Sequence, residues 1–304
     1  MKKIKYVFAW LVLSCFCFSC GNSGDTAARQ DSLTQASPSP TPEKKDVNEV
    51  FKDYWKDFNF QDTLSLKQGD QLEQRFVNYI ALFPKVAPDS MQAGVKAMLS
   101  AAAAEPQVLQ YFLEKYDHYL YNPSSPLRND LYYEPVLSFL VGHQGLDAST
   151  RSRYSTLLKL LQKNMPGNSA ADFPYVDRHG KKLRLSAGAT ALRLLVFYDP
   201  GCQHCAEIIE SLRSSAAINA HIDAKQFEVL AICPVGDEAT WKAYDKSIPA
   251  TWANGFDYSK AVIEGERYDV KAFPTLYLLD EDNKVLLKDV DWQQVDALLR
   301  NHRP

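Results

Sequence analysis

Residues 191–205 read ALRLLVFYDPGCQHC, and the fold turns on how this stretch is read. The run ATALRLLVFYD, residues 189–199, is apolar and strand-favouring, of the kind that lies inside a sheet covered on both faces. The residues after the motif, AEIIESLRSS, carry Ile208, Ile209 and Leu212 at helical spacing, so Cys202 and Cys205 sit at a strand-to-helix junction. A cysteine just before the first turn of a helix faces unpaired backbone N–H groups and the positive end of the helix dipole, and both favour a thiolate. A second cysteine three residues on lies one turn along the same face, where it can attack a mixed disulfide and release the partner. Cys202 is therefore the expected nucleophile and Cys205 the expected resolving thiol. Half of a metal site and an ordinary structural pair are the competing readings of the same two cysteines.

Working outward, KQFEVLAICPV predicts another buried strand, DEATWKAYDKS a helix, TLYLLD and KVLLKD a hairpin around Asp282 and Asn283, and DWQQVDALLRNH a closing helix. Upstream, Pro166 and Gly167 break the chain before a short extended stretch with an Asp-Arg-His-Gly turn. Residues 47–165 read as helical. In DQLEQRFVNYIALF, Asp70 followed by Glu73 resembles a capping box, and Leu72, Phe76, Tyr79, Ile80 and Phe83 recur at helical spacing. Val108, Leu109, Phe112, Leu113 and Tyr116 form a second amphipathic run, and Tyr154, Leu157, Leu158 and Leu161 a third. Pro123 and Pro126 interrupt the helices, and Arg128 beside them is expected to make a loop-fixing salt bridge. The aromatic residues of YWKDFNF and YLYNP are expected in the core rather than in a binding groove.

The amino terminus, MKKIKYVFAWLVLSCFCFSC, opens with three lysines and continues as an apolar run too short to span a bilayer, the pattern of a secretory signal peptide. Ser19, Cys20 and Gly21 resemble the lipobox of bacterial lipoproteins, where the cysteine is acylated and becomes the mature terminus, although Cys17 and Phe18 depart from its usual residues. Cys15 is the weaker candidate because apolar residues follow it, and a cleaved leader releasing a soluble protein is the alternative to an anchor. Residues 21–46, rich in Ser, Thr, Pro and Gln, cannot repay the entropy of ordering and read as a flexible tether. The expected organisation is thus 1–20 signal peptide, 21–46 linker, 47–165 helical domain and 166–304 redox domain.

Of six cysteines, cleavage at Cys20 would leave four, one of them lipidated; Cys202, Cys205 and Cys233 are then an odd set unlike a disulfide framework. Cys233 ends a predicted strand beside the motif strand and is expected to be a small apolar filler. A net charge of −3 shows no basic excess, so nothing favours nucleic acid.

The lead-in GNSAADF at 167–173, the strand with CQHC, the later VKAFPTLYLLD and the final helix together resemble the thioredoxin superfamily, in particular the extracytoplasmic thiol–disulfide oxidoreductases of the TlpA and ResA kind. The likeness runs from about Gly167 to the C-terminus. It implies an α/β thioredoxin-like domain, a central mixed sheet flanked by helices, behind an all-α N-terminal domain. It also implies that Pro274 is a cis-proline packed beside the cysteines, with Phe273 and Thr275 as flanking substrate contacts. The helical part is similar to a domain of unassigned function that precedes such domains in some Gram-negative lipoproteins. Two departures stand out. Val196 occupies the place of the buried aspartate of cytosolic thioredoxins, and Gln203 and His204 replace their Gly-Pro. A histidine before the second cysteine resembles the strongly oxidising DsbA-like proteins, so His204, with Gln203, is expected to tune the couple. The two type cases differ by about 150 mV, or ~7 kcal/mol for a two-electron couple.

The expected function is exchange of disulfides with cysteines of exported proteins, without a cofactor, by a lipid-anchored protein facing the periplasm and recharged by a redox partner protein. Two other readings compete: a lipid-anchored binding or scaffold protein, and a copper chaperone. No metal site is expected, because a structural zinc needs four ligands and no second CxxC or HxxxH is present.

Overall fold

A computed structural model describes residues 46–186 and 191–301. The leader, Cys20 and the tether up to residue 45 lie outside the described residues. Six helices come first: α1 (Val47–Lys52), α2 (Asp70–Ile80), α3 (Pro88–Ala102), α4 (Pro106–Tyr116), α5 (Asp130–Gly142) and α6 (Ala148–Leu161). Their starts follow local chemistry. Proline at the first helical position opens α3 and α4, where its missing N–H would be unpaired anyway, and the side chains of Asn129 and Asp147 cap α5 and α6. Leu72, Phe76, Tyr79 and Ile80 of α2 and Val108, Phe112 and Tyr116 of α4 are buried in one core; Leu109 and Leu113 pack half-buried around it.

The capping box expected at the start of α2 does not form. Gly69 stands at the cap with no side-chain bond, and the Glu73 carboxylate instead takes Lys115 at 2.6 Å and the Tyr119 hydroxyl at 2.7 Å. Two strong donors across the helix packing outcompete one backbone amide. The aromatic residues of 54–60 are core, as expected, with Trp55 and Phe60 buried. Both also line an apolar groove of about 560 Å³ between α1 and α3.

The second half begins with β1 (Pro174–Asp177), β2 (Lys182–Arg184) and β3 (Leu192–Phe197), followed by α7 (Gln203–Ser214), α8 (Ala216–Asp223) and β4 (Phe227–Cys233). It ends with α9 (Glu238–Tyr244), β5 (Ala253–Phe256), β6 (Thr275–Leu279), β7 (Val285–Lys288) and α10 (Trp292–Arg300). The seven strands form one sheet in the order β2-β1-β5-β4-β3-β6-β7. The pairs β3–β4 and β4–β5 are parallel and the rest antiparallel, so the sheet is mixed. Near the middle of the sheet, β3 sends Leu194 and Val196 into the core under α7 and α10, and Leu195 and Phe197 into the core on the opposite face. That explains why its sequence is a continuous apolar run rather than an alternating one.

The chain joining the halves is not a free hinge. After the break at Pro166, the Gly167 amide donates to Val285 at 2.8 Å, Asn168 accepts from the Val285 amide at 2.8 Å, and the Ala170 amide donates to Asn283 at 2.8 Å, which lays the connection along β7. The Lys163 and Asn164 side chains bond the carbonyls of Glu266 and Arg267 at 2.6 and 2.8 Å. The described residues form one compact unit.

Candidate active site

β3 ends at Phe197, directly opposite Thr275 at the start of β6. The two loops that leave the sheet there, 198–202 and 270–274, therefore emerge side by side. The first is tightly built: the Asp199 carboxylate accepts the Gly201 amide at 2.9 Å and the Asp199 carbonyl accepts the Cys202 amide at 3.0 Å. Pro200 supplies the preset φ that such a turn wants at its second position. The turn delivers Cys202 as the N-cap of α7 in extended conformation, its Sγ accepting the Cys205 amide at 3.2 Å. Here sulfur takes the place of the oxygen acceptors usual at this position. The Cys202 thiol also lies 3.5 Å from the carbonyl of Phe273. The Phe273–Pro274 peptide is cis, as the resemblance implies, and the Thr275 hydroxyl donates to the Ala272 carbonyl at 2.6 Å.

Cys205 lies one turn further on the same face as Ile209 and Leu212, and all three are buried. Burial pushes the Cys205 thiol well up; a backbone hydrogen bond from Asp199 opposes this, and the neighbouring Cys202 and the Asp199 carboxylate add to the rise. Cys202 by contrast is half-exposed. The arrangement thus separates an accessible, amide-supported sulfur from a shielded one held as a thiol. Tyr244 at the end of α9 is raised by burial and then by Cys205 and Cys202, which marks it as a neighbour of the pair that sequence spacing does not reveal. Cys233, at the end of β4, is buried and donates to the Val235 carbonyl at 3.2 Å, and burial pushes it up to about 11. It packs as an apolar filler in the core that also contains Cys205.

Of the residues singled out from sequence, the structure gathers Cys202, Cys205, Phe273, Pro274 and Thr275 at one place. Gln203 and His204 sit on the rim: both point at Glu207, at 3.3 and 3.4 Å, and the His204 side chain is 65% exposed. Among the described residues no group of three or more His, Cys, Asp or Glu is placed to hold a metal ion. On this geometry, iodoacetamide at about pH 8 is expected to label Cys202 at least ~10-fold faster than Cys205 or Cys233 in the native dithiol. Peptide mapping reads this out, and equal labelling of the three would contradict the division between exposed and shielded sulfurs.

Behind the proline loop lies a group of buried charges that sequence reasoning missed. Asp130, at the start of α5, holds Lys271 at 2.8 Å with one oxygen and Lys288 at 2.9 Å with the other, and Lys271 also meets Asp269 at 2.8 Å. All four side chains are at most 8% exposed. Lys288 further donates to the carbonyls of Leu161 and Lys163 at 2.5 and 3.1 Å, and the Lys271 ammonium lies 5.0 Å above the Tyr121 ring. Arg128 is not merely a loop clamp: besides the Pro123 carbonyl it pairs with Asp289 at 2.7 Å, across the two halves.

A mixed sheet with a CxxC pair at the start of a helix, opposed by a cis-proline loop, is the thioredoxin fold. Residues 41–164 match the family described as a domain of unknown function, DUF5106. No curated protein matches the chain. A thioredoxin-like protein from Bacteroides caccae is 30% identical, with a TM-score of 0.83 over 91% of this chain and 100% of that one. The C-terminal domain of an uncharacterized protein from Bacteroides fragilis is 38% identical over 45% of this chain and 98% of that one, with a TM-score of 0.44. The thioredoxin domain of a thiol-disulfide oxidoreductase from Bacteroides vulgatus is 20% identical over 46% of this chain and 99% of that one, with a TM-score of 0.41. The chain belongs to the thioredoxin-like proteins, with a helical domain of unassigned role in front.

Proposed function

We propose that the protein is a thiol–disulfide oxidoreductase of the bacterial cell envelope that exchanges disulfides with cysteines of exported proteins. The observation that carries this reading is the Cys202 sulfur: half-exposed, supported by the Cys205 amide and seated 3.5 Å from the carbonyl that precedes Pro274. In the reducing direction the Cys202 thiolate forms a bond to one sulfur of the partner's disulfide, whose other sulfur leaves as a thiolate. Cys205 then gives up its proton and attacks Cys202, closing the protein's disulfide and releasing the partner's second thiolate. The dithiol loses two electrons and the partner gains them; the oxidising direction is the reverse. Burial of Cys205 keeps it protonated until the mixed disulfide forms, which prevents it from competing with Cys202 for the partner.

The test is the equilibrium reduction potential of the Cys202–Cys205 couple, poised against glutathione. A reversible two-electron couple is expected; a value near ~−120 mV marks a disulfide donor and one near ~−270 mV a reductant that needs an electron source. If no reversible couple titrates, the reading is lost. Envelope location rests on the leader-like terminus and the lipobox-like Ser19-Cys20-Gly21. Cys20→Ser is expected to move the protein from the membrane to the soluble fraction, and unchanged membrane partition would remove the anchor at that residue.

A further inference from the structure

The surface beside Pro274 is not built by the thioredoxin-like half alone. A cleft of about 300 Å³ runs from Pro274 past His204, Ile208 and Trp292 to Arg128, which belongs to the helical domain. It adjoins a second depression of about 600 Å³, with which it shares Arg128, Asp289, Val290, Asp291 and Gln294 as lining. The far wall of that depression includes Pro126, Leu127, Leu131 and Tyr132. Five large apolar side chains are substantially exposed among the described residues, and two of them, Leu127 at 45% and Leu131 at 43%, stand on this wall.

The cleft is held open by the buried charges beneath it. Arg128 and Asp289 are paired at 2.7 Å with side chains 17% and 13% exposed, and Asp130, the residue next to Leu131, is locked to Lys271 and Lys288. The wall from the helical domain is thereby fixed relative to the loop that ends in Pro274, so a ligand would meet a preformed surface and lose less in ordering it. Because Arg128 is already neutralised by Asp289, that wall offers apolar contact rather than a free cation.

We infer that the helical domain is half of the substrate site: an extended polypeptide segment, attached by its cysteine at Cys202, continues from Pro274 along this cleft and seats apolar side chains against Leu127 and Leu131. A small disulfide would be held by the first depression only. Reaching the second requires a chain that continues beyond the reacting cysteine, and an extended chain covers ~3.3 Å per residue. The inference rests on the oxidoreductase reading and adds the class of substrate to it: unfolded or partly folded chains with leucine-like or aromatic residues flanking the cysteine.

The probes are synthetic peptides of about ten residues, each holding its one cysteine as a mixed disulfide with 2-nitro-5-thiobenzoate. One series carries apolar residues on either side of the cysteine and another only Gly and Ser. Pre-reduced full-length protein attacks the peptide sulfur through Cys202, the bond to thiobenzoate breaks, and the coloured thiolate leaves. Cys205 then closes the protein disulfide and the peptide thiol is released, so two electrons pass from the dithiol to the probe. Wild type is expected to react faster with the apolar series. Leu127→Ser with Leu131→Ser is expected to lower the rate constant for that series about tenfold, the scale of losing part of the burial of two leucines. The Gly/Ser series should stay within about twofold, and Leu127→Met with Leu131→Met should keep the wild-type pattern. Equal rates for wild type and the Ser variant, or the same loss on both series, would overturn the inference and leave the oxidoreductase reading standing. A wild type that releases no thiolate from any probe would overturn both.

Discussion

Cys205→Ser is expected to accumulate as a covalent adduct through Cys202 with the proteins it meets, seen as bands on non-reducing gels that collapse on reduction. Without a thiol one turn along α7, nothing intramolecular attacks the mixed disulfide, and its lifetime is set by free thiols in the medium. Cys202→Ser is expected to form no adducts and to lose disulfide exchange by at least about 10³-fold, because Cys205 is buried, held protonated and out of a partner's reach. The asymmetry between the two variants is the sharper result. Adducts from both, or from neither while turnover continues, would mean that the roles of the two sulfurs are wrongly assigned.

The second large effect concerns stability. Asp130→Leu is expected to cost about 3–5 kcal/mol by urea unfolding, because it leaves the Lys288 ammonium buried without a carboxylate partner and Lys271 with Asp269 alone. Adding Lys288→Met to that variant removes the ammonium left without a carboxylate and is expected to return part of the loss. If the single variant is as stable as wild type, the group is solvated in solution and does not bind the two halves together. The pH profile gives an independent check. Burial raises the Asp130 pKa, but Lys271 and Lys288 outweigh it and hold the carboxyl below its ordinary value. Its contribution is therefore present above about pH 4 and is lost as pH falls through the lower folded value. Burial lowers Lys271, but Asp130 and Asp269 outweigh it and raise the ammonium above its ordinary value. That contribution is complete below about pH 10 and is lost as pH rises through the folded value. Asp289 runs the other way in acid: burial raises it in spite of Arg128, so its protonation favours the folded state and offsets part of the loss at Asp130. In Asp130→Leu, the acid limb assigned to Asp130 should disappear.

What was legible in the sequence was local. The strand β3, the cysteines at the start of α7 and the position of Pro274 each follow from a few consecutive residues whose apolar run, spacing or resemblance is visible in one dimension. The same holds for the hairpin of β6 and β7 around Asp282 and Asn283, which the structure shows as antiparallel neighbours. The Glu73 expectation failed because its competitors, Lys115 and Tyr119, are more than forty residues away, and no local pattern says that they will arrive. The expected salt bridge of Arg128 forms, but its partner Asp289 is 161 residues distant. Asp130, Lys271 and Lys288 look like ordinary surface charges in sequence, since burial of a charge depends on what packs over it. Tyr244 becomes a neighbour of the cysteines only when α9 folds against Tyr198 and the core that holds Cys205. The rim positions of Gln203 and His204 are likewise a matter of which face of α7 turns outward, and Glu207, four and three residues on, is the partner that helical spacing makes available.

The bonds that lay residues 167–170 along β7 bear on how such a protein survives its own work. A protein proposed to handle unfolded chains is surrounded by sticky extended segments, and an open sheet edge would invite them to add as an extra strand. On one side the start of that edge, at Val285, is already occupied by the protein's own backbone, through Gly167, Asn168 and Ala170. On the other, β2 is three residues long and turns the charged side chains of Lys182 and Arg184 outward. One margin is thus covered where β7 begins and the other is short and charged, which leaves the cysteine loop as the place where a passing chain is welcome.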